Sequence, residues 1–148
     1  MVKSNPTGPD LLIMALCDMV IQEAGTNKFS LIGTFNRLWT GRFPCVHPSM
    51  SVFASMTEGR GEQPIELRML SDSDMNVLLR IEGRIDFADP RDVVEVKFDL
   101  HNVRFPSEGS YSFELWVGGR IVGRRRLDVR LYPGSEGRER KDEGRKQD

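Results

Sequence analysis

The sequence predicts an all-β protein, an antiparallel β-sandwich of about eight strands with Greek-key or immunoglobulin-like connections. Three observations support this prediction. Apolar and polar side chains alternate with a period of two in several segments, which is typical of strands that bury one face. Turn signals rich in Gly, Pro, Asn and Asp separate these segments. Residues 111–117 alternate in this way and are followed by Gly118-Gly119, which is the pattern of a hairpin.

The chain has 148 residues and 39% hydrophobic residues, which suits one soluble domain with a real core. Residues 1–10 are rich in Pro, Gly and small polar residues, and we expect them to be loose. Residues 133–148, which follow Tyr132, contain no large apolar side chain and are rich in charged residues. We expect this tail to be disordered, because it cannot bury enough surface to offset the entropy of ordering. The sandwich is therefore predicted over residues 11–132.

Charge and hydropathy argue against several classes of partner. The formal net charge of −1 removes any general attraction to nucleic acid or to an anionic membrane. No apolar run approaches the roughly 20 residues that cross a bilayer, and the N-terminus lacks the features of a signal peptide. Cytoplasmic location is the expectation. Cys17 and Cys45 form no disulfide framework, and we interpret both as structural thiols.

The first segment, residues 11–24, permits two interpretations. Its Leu, Met and Ala content, with Asp10 before it and Gly25 after it, favours a helix. It is, however, apolar on both faces through Val20-Ile21, which suits a central strand covered on both sides. We interpret it as the first strand, with a helix as the alternative.

The later segments alternate more clearly. Gly59-Arg60-Gly61 lies between two of them and is interpreted as a hairpin turn. The apolar rows predicted to face the core are Met50, Val52, Ala54 and Met56; Ile65, Leu67 and Met69; Val77, Leu79 and Ile81; Val94, Val96, Phe98 and Leu100; and Leu127, Val129 and Leu131.

Several motifs resemble a family of small bacterial proteins of unknown function. They are Cys17-Asp18, the turn at residues 25–28, the run Ser-Leu-Ile-Gly-Thr-Phe at 30–35, Phe43-Pro44, Gly61-Glu62, and Phe105-Pro106 with Gly109-Ser110-Tyr111. The resemblance implies an eight-stranded sandwich over most of the folded body. It implies no catalytic residues, and it agrees with a strand in the first segment.

Candidate catalytic and metal-binding residues are few. His47 and His101 are the two histidines of the chain, but they have no ligand-like spacing to the cysteines, and no nucleophile motif is present. Neither metal nor cofactor is expected. The acidic loops raise one alternative, because their carboxylates could gather around a calcium ion at one end of the sandwich; they contain Asp72, Asp74, Asp89 and Asp92. Turn formation explains the same residues.

Candidate binding residues lie in and near the last hairpin. Trp116 falls on the polar row of its strand, and a partly exposed tryptophan is enriched at binding surfaces. Arg126 and Arg130 share the solvent face of the last strand, and Arg124 precedes them. Such cations protect an exposed edge strand from unwanted pairing, or they dock an acidic partner. Trp39 is a second candidate.

The sequence therefore predicts a non-enzymatic interaction or assembly module, which binds a protein partner or a second copy of itself. Two alternatives remain open. One is a carbohydrate-binding or small-ligand-binding sandwich that uses Trp39 or Trp116 as a stacking platform. The other, less favoured, is a hydrolase with a site around His47 or His101 at a loop end.

Overall fold

The protein is described here by a computed structural model that covers residues 8–134, and these residues form nine strands and no helix. The expectations for residues 1–7 and 135–148 lie outside the described residues. No helix able to cross a membrane occurs in the described part. The strands are β1 (Asp10–Gln22), β2 (Phe29–Thr34), β3 (Arg37–Thr40), β4 (Cys45–Thr57), β5 (Gly61–Ser71), β6 (Val77–Phe87), β7 (Val94–Phe105), β8 (Gly109–Val117) and β9 (Arg120–Leu131).

The strands form two sheets that face each other, so the predicted β-sandwich is confirmed. One sheet has four strands in the order β2-β1-β4-β7, and the other has five in the order β3-β9-β8-β5-β6. The first segment is a strand, as interpreted. Met14 and Leu16 of β1 lie in the core between the sheets, whereas Cys17 belongs to a second buried cluster with Val20 and Phe53. β1 is not covered along its whole length, however, because Leu12, Ile13, Met19 and Ile21 are exposed, so the apolar character of both its faces does not reflect burial on both sides.

Most residues of the predicted apolar rows lie in the core, but Val77 at the start of β6 is 40% exposed and Leu131 at the end of β9 is only half-buried. Met50, Val52, Ala54 and Met56 of β4 are buried, and they face Ile65, Leu67 and Met69 of β5 across the sandwich interior. The rows on β6 and on the edge strand β7 are less buried, because an edge strand has a neighbour on one side only. Alternation thus assigns the inner and outer faces of most strands correctly.

Two local features differ from the sequence interpretation. Strand β3 has only four residues, too few for a detectable period, and it pairs with β9 in parallel rather than antiparallel. Gly59-Arg60-Gly61 is not a hairpin turn, because it connects β4 of one sheet to β5 of the other. By contrast, Gly118 and Gly119, with φ of 62° and 80°, form the turn of the predicted β8–β9 hairpin.

Tyr111 anchors the start of β8. Its side chain is 1% exposed, and its ring packs edge-on against Phe105 at 4.9 Å between ring centroids. The hydroxyl donates to the carbonyl oxygen of Ser107 and accepts from the Ser107 amide at 3.2 Å. A buried tyrosine that bonds back to the backbone a few residues upstream is typical of immunoglobulin-like sandwiches. It closes the loop between β7 and β8, which belong to different sheets.

Candidate functional site

The structure places all five predicted binding residues on one surface, the outward face of the five-stranded sheet. Leu127 and Val129 point into the core, so the alternating Arg124, Arg126 and Arg130 point outward. Trp39 is directly opposite Arg130 in the β3–β9 pairing. Trp116 alternates with the buried Leu115 and Val117. We call this surface the arginine face, defined by Arg37, Trp39, Trp116, Arg124, Arg126 and Arg130.

The two tryptophans lie at opposite ends of the arginine face. Trp116 is paired with Ile121 and Trp39 with Arg130, so nine residues of β9 separate them. At about 3.3 Å per residue, this is a distance of about 30 Å. The structure therefore does not bring Trp39 and Trp116 into one pocket, and Arg124 and Arg126 of β9 lie on the surface between them.

Trp39 is the more accessible of the two, with 44% of its surface exposed. Its ring lies 6.2 Å from that of Tyr132, with only 17° between the ring planes. The guanidinium carbon of Arg37 is 5.8 Å from the ring centroid. Trp39 thus presents a flat aromatic surface next to cations, a combination common at protein interfaces.

Trp116 is half-buried because a charged side chain covers one face of its ring. The guanidinium carbon of Arg68, on β5, lies 4.2 Å from the ring centroid. The indole Nε1 donates to Oε1 of Glu114 at 3.0 Å. The prediction that Trp116 is at least partly exposed agrees with this geometry. The ring face beneath Arg68 is not free for a ligand.

Arg68 is itself held by a carboxylate. Its Nε donates to Glu66 Oε2 at 2.8 Å and its Nη2 to Oε1 at 3.3 Å, while Nε of Arg80 lies 2.8 Å from the same Oε2. The hydrogen bond from Arg68 is the main cause that lowers the pKa of Glu66, and the charges of both arginines add to it. The two arginines therefore hold Glu66 ionised and fix the position of Arg68 over Trp116.

Asp72, at the turn after β5, organises the other part of the face. It accepts from the Ser110 hydroxyl at 2.5 Å and from the fully buried Ser112 hydroxyl at 2.7 Å. Arg124 and Arg126 approach its oxygens at 3.7 and 3.8 Å, and Arg124 Nε also donates to Ser112 Oγ at 3.1 Å. Burial alone would raise the pKa of Asp72, but the serine hydrogen bonds and the arginine charges outweigh it and lower the pKa.

Sequence reasoning missed the residues that support this surface. Nothing in the sequence singles out Glu66 or Arg68, and it indicates Asp72 only as a turn or calcium residue. The alternation within β5 does indicate that Glu66 and Arg68 share one face, because each lies between core residues. Their partners are far along the chain, however: Arg68 is directly opposite Glu114, and Glu66 opposite Trp116. No local pattern predicts that register.

The acidic loops do not come together, so the idea of one calcium site at a sandwich end is wrong for these residues. Asp72 and Asp74 follow β5, whereas Asp89 and Asp92 follow β6. The eleven residues of β6 separate the two loops, a distance of about 35 Å. Asp89 instead binds Arg91 at 2.9 Å, and Asp74 accepts from the Asn76 amide. Within residues 8–134, no three potential metal ligands cluster.

The two cysteines are free and lie on separate strands. Cys17 is fully buried, and burial is the main cause that raises the pKa of its thiol, with the charges of Asp18 and Asp99 adding to it. A thiol of this kind is a poor nucleophile. Cys45 is half-buried at the start of β4 and packs against the core.

The histidines occupy neighbouring strands but different environments. His101 is exposed on β7. His47 packs on Phe35 with ring centroids 6.1 Å apart, and its Nε2 is the one buried side-chain nitrogen or oxygen in the described part of the chain that has no hydrogen-bond partner. An unsatisfied polar atom in this position costs about 1–3 kcal/mol of stability.

Replacing His47 by Leu is therefore expected to stabilise the protein by about 1 kcal/mol, because the orphaned nitrogen is removed and the packing volume is nearly kept. Urea denaturation would measure the change. The matched control is His101→Leu, which should change stability by less than about 0.5 kcal/mol. A destabilised His47→Leu variant would show that the imidazole has a polar partner after all.

Several solved structures are similar to this chain, all at low sequence identity. An alkylpurine DNA glycosylase from Pseudomonas fluorescens, bound to DNA containing an abasic site analog, gives a TM-score of 0.50 at 6% identity, over 84% of this chain and 31% of that chain. This chain thus spans less than a third of the glycosylase, and the likeness concerns the fold alone. An immunoglobulin-like protein from Pseudomonas aeruginosa gives 0.40 at 14% identity, over 85% of this chain and 100% of that chain.

A third similar structure is the CARDB domain of a Pyrococcus furiosus protein in complex with di-metal ions, with a TM-score of 0.40 at 8% identity, over 87% of this chain and 100% of that chain. None of the curated proteins is significantly similar in sequence. Residues 12–130 match the model of a family of unknown function (DUF6941). The match confirms the resemblance to a β-sandwich family of unknown function.

Proposed function

The chain belongs to DUF6941, a family of unknown function, and from the arginine face we propose that it is a non-enzymatic interaction module that binds a protein partner or a second copy of itself. The observation that carries this proposal is the set of arginines and tryptophans held in place on one sheet face. Trp and Arg dominate the binding energy of protein interfaces. Side chains already fixed by neighbours lose less conformational entropy on binding.

The dimensions of the face suit such an interface. It is about 30 Å long between the tryptophans, and five strands spaced by about 4.8 Å make it roughly 24 Å wide. The resulting area of roughly 700 Å² approaches the 800 Å² or so that each partner contributes to a standard protein interface. Exposed arginines on β9 would steer an acidic partner towards this side.

The test uses an adjacent pair on the face, Trp39 and Arg130. The double variant Trp39→Ala/Arg130→Gln is expected to reduce partner binding or self-association at least tenfold, since it removes an aromatic contact and a charge together. Light scattering after size exclusion, and affinity purification from the native host, measure the two forms of association. Arg104→Gln, an exposed arginine on β7 of the other sheet, is the control.

Equal association of the double variant, the control and the wild type would contradict the proposal. The proposal would also be contradicted if the wild type stayed monomeric at high concentration and captured no protein that the double variant Trp39→Ala/Arg130→Gln loses. The melting temperature of each variant should stay within a few degrees of the wild type, which separates loss of binding from loss of fold.

A second candidate, sugar binding, has one observation in its favour. The Trp39 ring is exposed and nearly parallel to Tyr132, so it could stack on a sugar. The single variants distinguish the two functions. A glycan whose binding is lost in Trp39→Ala but kept in Arg130→Gln would favour sugar binding over a protein partner.

A further inference from the structure

A cleft opens beside the arginine face, at the side of the sandwich where the chain crosses from one sheet to the other. The crossing is made by Phe35 and Asn36, between β2 and β3. The Phe35 amide donates to the Leu16 carbonyl at 3.0 Å, and the Asn36 carbonyl accepts from the Asp128 amide at 3.1 Å. These bonds fix the crossing to β1 on one side and to β9 on the other.

Two adjoining cavities of about 160 and 300 Å³ lie along this crossing, and both are lined by Asn36 and Arg125. They are accessible because β3 covers only residues 128–131 of β9. No described strand pairs with the preceding part of β9 on that side. Consecutive residues of β9, Arg125 and Arg126, therefore reach the cleft from the two sides of the strand.

The larger cavity has an excess of positive charge. Arg37, Arg125 and Arg126 line it with a single carboxylate, Asp128. That carboxylate is already shared, at 3.4 Å from Arg37 and 3.7 Å from Arg130. Arg125 has no carboxylate or hydrogen-bond partner among residues 8–134.

We propose that this cleft binds a carboxylate group carried by an acidic segment of the partner protein, with Arg125 as its principal contact and Arg37 and Asn36 beside it. This inference rests on the function proposed above and specifies the chemistry of the partner. A guanidinium offers two parallel N–H donors that match the two oxygens of a carboxylate. The Asn36 side-chain amide can supply a further donor.

The surrounding charge favours a carboxylate over a polyphosphate chain. The whole protein has a formal net charge of −1, so it exerts no long-range attraction on a polyanion such as nucleic acid. Arg37 pairs with Asp128 and Arg126 with Asp72, so the charge left uncompensated in the cavity is that of Arg125, and a singly charged carboxylate matches it. The arginines that line the cavity carry enough positive charge to bind one or two acidic side chains.

The test titrates the full chain with a tetraglutamate peptide and follows the arginine Nε–Hε signals by ¹⁵N NMR. The Arg125 signal is expected to shift, and Arg125→Gln should weaken peptide binding at least fivefold without changing the melting temperature. Arg104→Gln is the control, since Arg104 is also exposed and without a described partner but lines none of the cavities above. It should change the peptide affinity less than twofold.

Three results would overturn the inference: no shift of Arg125, an equal loss in Arg125→Gln and Arg104→Gln, or tighter binding of inorganic phosphate or a phosphoserine peptide than of tetraglutamate. Affinity purification separates this inference from the proposed function. If Arg125→Gln captures the partner as well as the wild type while Trp39→Ala/Arg130→Gln does not, the cleft proposal fails and the interaction module stands.

Discussion

Replacing Asp72 by Ala is expected to lower the free energy of unfolding by about 2–3 kcal/mol. Asp72 accepts from two serine hydroxyls, one of them on the fully buried Ser112, and a hydrogen bond to a charged group contributes about 1.5–3 kcal/mol. Its ion pairs with Arg124 and Arg126 are longer and partly exposed, so solvent screening leaves them a small share. Urea denaturation measures the loss.

The matched control is Asp86→Ala, an exposed carboxylate on the outward row of β6, which should change stability by less than about 0.5 kcal/mol. Similar losses in the two variants would show that Asp72 contributes only general charge. Because Asp72 also positions Arg124, Asp72→Ala should weaken any association that uses the arginine face.

The interactions of Asp72 also make the free energy of unfolding depend on pH in the acidic range. The pKa of Asp72 is lowered from 3.8, so the folded state binds its proton less readily than the unfolded state does. The stabilisation by Asp72 is therefore complete above about pH 4 and is lost as the pH falls below 3.8 and through the folded-state pKa. The stability difference between wild type and Asp72→Asn should be constant near neutral pH and shrink below pH 4 or so.

Gly59→Ala is expected to destabilise the protein by about 1–3 kcal/mol, which corresponds to a melting temperature roughly 5–10 °C lower. A Cβ atom at Gly59 would lie 2.3–2.5 Å from three carbons of the Phe87 ring. Phe87 is 1% exposed and packed in the core, so the ring cannot turn away without disturbing its neighbours. The connection between the two sheets must then shift instead.

Gly25→Ala is the matched control, because a Cβ there would meet nothing within 4 Å. It should be neutral or slightly stabilising. The double variant Gly59→Ala/Phe87→Leu tests the mechanism, since a smaller side chain at 87 should recover part of the loss and make the two changes non-additive. Simple addition of the two single losses would mean that Gly59 is needed for another reason.

Much of the fold and part of the site can be predicted from the sequence. Alternation is a local property, so the pattern of apolar and polar residues within one strand indicates which of its side chains face the core. Met50 to Met56 and Leu127 to Val129 are examples. The same alternation places Arg126, Arg130 and Trp116 on an outward face. For this reason the predicted site residues fall on one surface even though no motif connects them.

The supporting contacts could not be predicted, because they join residues far apart in the chain. Asp72 meets Ser112 across 40 positions, and Arg37 meets Asp128 across 91. The short parallel strand β3 exists only because the chain crosses between sheets at Phe35 and Asn36, and this crossing also creates the cleft at Arg125.

The sequence by itself therefore determined most of the strands and the inner or outer direction of most of their side chains, since these follow from a period of two along each strand; the four residues of β3 are too few to show it. The tertiary structure alone decided which strands are neighbours and in what register, and hence which arginines have a carboxylate partner within residues 8–134 and which have none there. Strand order and register depend on packing between distant segments, and a shift of one residue would exchange the two faces.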